Sequence, residues 1–169
     1  MNSILSTHIV RFIVLLLVQV LVLSQINFMG FINPYLYILF IILYPIKNNR
    51  MLFILLSFLL GLLVDMFLDS GGIHAAASVT IAFIRPAALK TSFGAVYEYQ
   101  AVKFNTASIG QRITYITILT FIHHLLLFSL EFFNLSKILL VLKNTLFSSI
   151  FTIILCVLVT IIFSRTNKR

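Results

Sequence analysis

Six apolar stretches, each about as long as a bilayer-crossing helix, fill most of this chain. They run over residues 12–28, 31–46, 51–68, 73–89, 113–133 and 138–163. A spanning helix needs about 20 mainly apolar residues, within a range of roughly 17–25. The second stretch is the shortest and carries Pro34 near its start, where a missing N–H is tolerated. The fourth is interrupted by Arg85-Pro86, and the sixth is long enough to tilt. None alternates with period two, which argues against a β-barrel. Helices close their backbone hydrogen bonds internally, as hydrocarbon demands. The expected fold is all-α: one integral membrane domain over 1–169, with six transmembrane helices and a cytoplasmic loop at 90–111.

Composition points the same way. Of 169 residues, 61% are apolar and 9% charged, against about a half and about a quarter in a soluble domain. So few charges cannot cover a water-facing surface. Mean hydropathy is +1.13. Seventeen Phe with no Trp fit a lipid-facing exterior without marking its edges by an aromatic belt. His8 and Arg11 precede the run from Phe12 to Leu23, but no small-x-small cleavage site follows. A retained first span is therefore expected rather than a signal peptide. The lone cysteine, Cys156, excludes an intrachain disulfide and a cysteine-based zinc site.

The net charge is +8. In a soluble protein that balance would suggest nucleic acid, but no basic face of usable size exists here. Ten of the twelve Lys and Arg fall on one side of the expected spans. The positive-inside rule makes that side cytoplasmic and puts both termini there, with membrane lipids as partners. Within the loop at 90–111, Phe93, Tyr97, Ala101 and Phe104 have near-helical spacing, with Glu98 and Lys103 off that face. An amphipathic helix lying in the interface is expected there.

Gly61, Asp65 and Asp69 follow one another at i, i+4 and i+8 in the third span, along one helical face. Gly61 permits close helix approach. A carboxylate at the depth of Asp65 is costly and rarely idle. Either the two aspartates hold the turn at Gly71-Gly72 and cap the next helix, or they meet a ligand or partner. They do not suit an aspartyl protease, which needs two carboxylates in close contact from separate elements. His123 and His124 sit near the middle of the fifth span, about 100° apart on a helix. They cannot chelate one metal from the same face, and one is expected to face the bundle, the other a neighbour or lipid. Arg85 is expected to snorkel to the headgroups, with Pro86 kinking its helix. The Ala-rich fourth span reads as central in the bundle. No Gly-rich phosphate loop, activated nucleophile or metal-ligand motif is present. Neither an enzyme nor a cofactor is expected.

The stretch Gly61-Leu-Leu-Val-Asp65-Met-Phe-Leu-Asp69-Ser-Gly71-Gly72-Ile-His74 is similar to a Gly-x-x-x-Asp segment with a following glycine turn in the bacterial rod shape-determining family MreD. Asn33-Pro34-Tyr35, Tyr44-Pro45 and Arg85-Pro86 also resemble members from the Bacteroidota. The resemblance implies a non-catalytic adaptor of the cell-elongation (rod) complex, which builds the lateral peptidoglycan wall. The implied partners are the scaffold MreC, the actin-like filament MreB, and the synthases RodA and penicillin-binding protein 2. It also implies a fold like the six-helix substrate-binding subunits (S-components) of energy-coupling-factor vitamin transporters. That likeness gives the alternative: a small-molecule binding or transport subunit, with Asp65, Asp69, His74, His123 and His124 lining a pocket.

Overall fold

The structure, a computed structural model, describes residues 2–26, 32–46, 49–94 and 107–166. The described elements are α1 (Asn2–Leu21) with a 3-10 turn at Leu23–Gln25, α2 (Ile38–Leu43), α3 (Arg50–Leu68), α4 (Ile73–Phe93), α5 (Ile109–Phe132), a second 3-10 turn at Leu135–Lys137, and α6 (Ile138–Thr166). No strand occurs among the described residues. Four stretches are long and apolar enough to cross a membrane: His8–Gln25, Arg50–Leu68, Ile109–Phe132 and Ile138–Ile162. α4 lies between α3 and α5, while α6 packs on α5 and α1 on α3. The central place of α4 follows from its small residues: Ala75, Ala77, Ser78, Ala82 and Ala88 are all buried, and small side chains let helices approach.

The helix ends have local causes. Asn49 caps α3 by accepting from the backbone N–H of Met51 and Leu52. Ser108 and Gln111 form a reciprocal capping box at the start of α5. Gly94, at φ 73°, ends α4. α4 and α5 each extend into the expected loop at 90–111, α4 to Phe93 and α5 from Ile109. Residues 95–106, which carry Tyr97, Glu98, Ala101, Lys103 and Phe104 of the expected amphipathic helix, lie outside the described residues.

The second expected span is the main departure. Instead of a helix over 31–46, the helix covers Ile38–Leu43 alone. Pro45 sets the end of the helix, while before its start the Tyr35 and Tyr37 N–H groups bond to Thr152 and Gln19. A residue before proline is pushed out of the helical region; Asn33 and Tyr44 are those residues, and Tyr44 sits at ψ 140°. Extended chain at both ends and one short helix result. The segment is nonetheless deeply buried: Tyr37, Ile38, Phe40, Ile41 and Ile42 are at most 1% exposed. It runs antiparallel to α1. His8 meets the Tyr44 ring at 5.5 Å, Phe12 meets Phe40 at 5.4 Å, and Gln19 bonds to the Pro34 carbonyl.

Polarity is inverted relative to a water-soluble bundle. On α6, Leu142, Leu146, Ile150, Ile154 and Leu158 are exposed, while Thr145, Ser148, Ser149, Thr152 and Cys156 are buried. That is the arrangement expected when the surrounding medium is apolar and helices meet through small residues.

The tightest approach is between α3 and α4. A Cβ built on Gly61 would lie 2.5 Å from the His74 carbonyl oxygen and 2.6 Å from the Ala75 Cα. These are backbone atoms and cannot swing away. Gly61→Ala should force the two helices apart and destabilise the fold by about 1–3 kcal/mol, the usual cost of overpacking. Gly110→Ala, with nothing within 4 Å of its Cβ, should be neutral or stabilising. Thermal unfolding of both variants in detergent checks the contrast.

Candidate functional site

At one end of the bundle, Asp65 ties α3 to α4. It is 4% exposed. Its Oδ1 accepts from Ser70 Oγ at 2.6 Å and from the His74 N–H at 3.0 Å; its Oδ2 accepts from the Ala75 N–H at 2.8 Å. A carboxylate from one helix thus caps the first turn of the next, where unpaired N–H groups and the helix dipole favour negative charge. Gly71 and Gly72, at φ 68° and 95°, make the tight reversal that brings the cap into reach. Asp69 does not join it. This residue is the left-handed C-cap of α3, at φ 52°, with its side chain exposed.

Beside this joint lies a cluster of aromatic and imidazole rings. The Tyr37 hydroxyl stands 3.0 Å from His74 Nδ1 and 2.6 Å from His123 Nε2. One phenolic proton serves the two nitrogens, so Tyr37 donates to one and accepts from the other. His124 points elsewhere. Its Nδ1 lies 2.8 Å from the Thr120 carbonyl oxygen, so Nδ1 carries the proton and donates. Its Nε2 then accepts from Thr152 Oγ1 at 3.1 Å, and the same oxygen accepts the Tyr35 N–H. The Tyr35 ring packs edge-on to His124 at 5.2 Å. Both histidines of the pair are fully buried and neither faces lipid, so of the two surroundings expected for the second ring, a neighbour or lipid, the structure shows the neighbour. Their angular offset is absorbed by two different protein neighbours, Tyr37 and Thr152. No group of three or more His, Cys, Asp or Glu among the described residues is placed to hold a metal.

At the other end sits Arg85, 5% exposed. It does not snorkel. Its Nε donates to the Tyr115 hydroxyl at 2.7 Å, and its Nη2 donates to the carbonyls of Ile42 and Tyr44. Tyr115 in turn donates to the Ile42 carbonyl, and the guanidinium lies 4.9 Å from the Phe53 ring centroid. The reason is local. α2 stops at Leu43, leaving carbonyls without helical partners, and a planar fork of five donors suits them better than headgroups at a distance. Pro86 follows immediately, inside α4, and the helix continues past it. A cavity of about 180 Å³ opens beside this clamp, lined in part by Tyr44, Pro45, Arg85, Leu89, Phe93 and Tyr115.

The residues that hold the irregular segment were the ones least legible beforehand. Gln19 donates to the Pro34 carbonyl and accepts the Tyr37 N–H, and Thr152 and Tyr115 act as above. A lone amide inside an otherwise apolar run was the available signal for Gln19. Comparison with protein-family models, curated proteins and solved structures finds no match to the chain.

Removing the Tyr37 hydroxyl leaves two buried ring nitrogens short of a partner. Tyr37→Phe should lower the unfolding free energy by about 1–3 kcal/mol, the penalty for stranding buried polar groups. Denaturant titration in detergent micelles measures it.

Proposed function

We propose that the chain is a non-catalytic membrane adaptor of the bacterial cell-elongation machinery, resembling the MreD family. One observation carries this reading. Apart from the exposed Asp69, the polar side chains singled out in the sequence bond to the protein itself. Asp65 caps α4; His74 and His123 share the Tyr37 hydroxyl; His124 bonds Thr120 and Thr152; Arg85 clasps two carbonyls. The broad apolar faces of α1, α3 and α6 remain exposed, and they suit lipid and the spans of partner proteins.

Six crossings and both termini on the cytoplasmic side belong to the same proposal. α4, with 21 residues, is about 31 Å long at 1.5 Å per residue. The segment at 32–46, extended at both ends, reaches roughly 35 Å. Each is long enough for a hydrocarbon core of about 30 Å.

The vitamin-subunit alternative is less well supported. The cavity of about 180 Å³ falls below the roughly 300 Å³ at which small-molecule pockets begin. It also lies away from Asp65, His74, His123 and His124.

The direct test is pull-down from detergent extracts with antibodies to MreC, MreB, RodA and penicillin-binding protein 2. Their reproducible absence counts against the adaptor role, and a vitamin co-purifying in stoichiometric amount overturns it. Asp65→Leu supplies a finer measurement. The change makes α3 more apolar, so insertion should be unimpaired. Loss of the cap should cost about 0.5–2 kcal/mol and weaken recovery of the partners. Unchanged rod growth and partner recovery would reduce Asp65 to a dispensable cap.

A further inference from the structure

We propose that the cavity beside Arg85 binds a phosphate group, carried by an anionic phospholipid or free in solution. This inference does not rest on the adaptor reading.

Arg85 is a buried cation whose described partners are neutral: a phenol, two carbonyls and an aromatic face. A buried charge is costly unless a counter-charge accompanies it. The described carboxylates are too far away to be that counter-charge. Asp65 binds the backbone at residues 74 and 75, about 15 Å along α4 from Arg85. Asp69 lies beyond it. Glu131 is about 24 Å along α5 from Tyr115, the neighbour of Arg85. Glu98 lies outside the described residues.

The cavity sits where the missing charge belongs. Arg85 and Tyr115 both line it, and Pro45, Leu89 and Phe93 form apolar walls. The bonds that Arg85 makes to described residues use Nε and Nη2, not Nη1. A guanidinium edge of this kind meets a phosphate through charge-assisted hydrogen bonds. The volume of about 180 Å³ corresponds to roughly six liquid waters. That admits a phosphate with a few attached atoms, the rest of a lipid remaining outside the cavity. Exposed Arg50 and Lys90 flank this end of the bundle and raise the local potential for an anion.

The test uses the full chain purified in a neutral detergent. Native mass spectrometry compares dioleoylphosphatidylglycerol with dioleoylphosphatidylcholine. Melting curves compare sodium phosphate with sodium chloride at equal ionic strength. A single retained phosphatidylglycerol, bound about tenfold or more tightly than phosphatidylcholine, is expected, because the phosphodiester of the zwitterionic lipid already has its own ammonium as counter-charge and leaves Arg85 less neutralised. A phosphate-dependent rise in melting temperature without a lipid adduct supports the free anion as the source. Either preference should vanish in Arg85→Gln. Should that variant fail to fold, Leu89→Phe decides, because it fills the cavity wall without touching the Arg85 bonds. Equal retention of both lipids with no phosphate response in the unaltered protein overturns the proposal. So does a lipid or phosphate preference that survives Leu89→Phe.

Discussion

Backbone N–H and C=O groups in an apolar medium must find partners inside the protein, and the structure is arranged around that demand. Five helices meet it by themselves along most of their length. The segment at 32–46 cannot, because its helix covers Ile38–Leu43 alone. Its loose ends are met by side chains from four different elements: Gln19 and Arg11 on α1, Arg85 on α4, Tyr115 on α5 and Thr152 on α6. Irregular backbone at membrane depth is tolerated where protein surrounds it, and here the surrounding groups can be named.

This accounts for the buried polar side chains that bond to that segment, Gln19, Arg85, Tyr115 and Thr152. Buried Thr, Ser, His and Gln would be liabilities in a water-soluble core of this size. In an apolar medium their unbonded alternative is worse, so hydrogen bonding between helices is an available source of specificity. The Tyr37–His74–His123 contact joins the irregular segment to α4 and α5 at once. Asp65 does the same for the α3–α4 reversal. The close approach at Gly61 and the cap at Asp65 are two halves of one joint: the glycine lets the helices meet, and the carboxylate fixes where.

Much of the architecture was legible in the residues. Hydropathy located the four long apolar helices, since composition over about 20 residues is what the hydrocarbon reads. The Gly61–Asp65–Gly71–Gly72 pattern announced a tight helical joint, because each of those residue types answers a backbone need. Hydropathy over 31–46 suggests a full-length helix where the structure has one over Ile38–Leu43, because hydropathy reports burial and not backbone geometry. Pro45 held part of the contrary information. The course of Arg85 follows from that difference: without loose carbonyls at Ile42 and Tyr44, a buried guanidinium had no evident place. The adjacency of His123 and His124 fixed their angular separation but not their partners, which come from residues far off in sequence.

The clasp around residues 32–46 has a consequence for how the chain is made. The Tyr35 amide bonds to Thr152, 117 positions later. When the early segment leaves the ribosome, the helix that will hold it has not been synthesised. Unlike its neighbours, it cannot settle in the bilayer as an independent unit. Its bonds to α1 can form early, but the bond from the Tyr35 amide has to wait until Thr152 has been made.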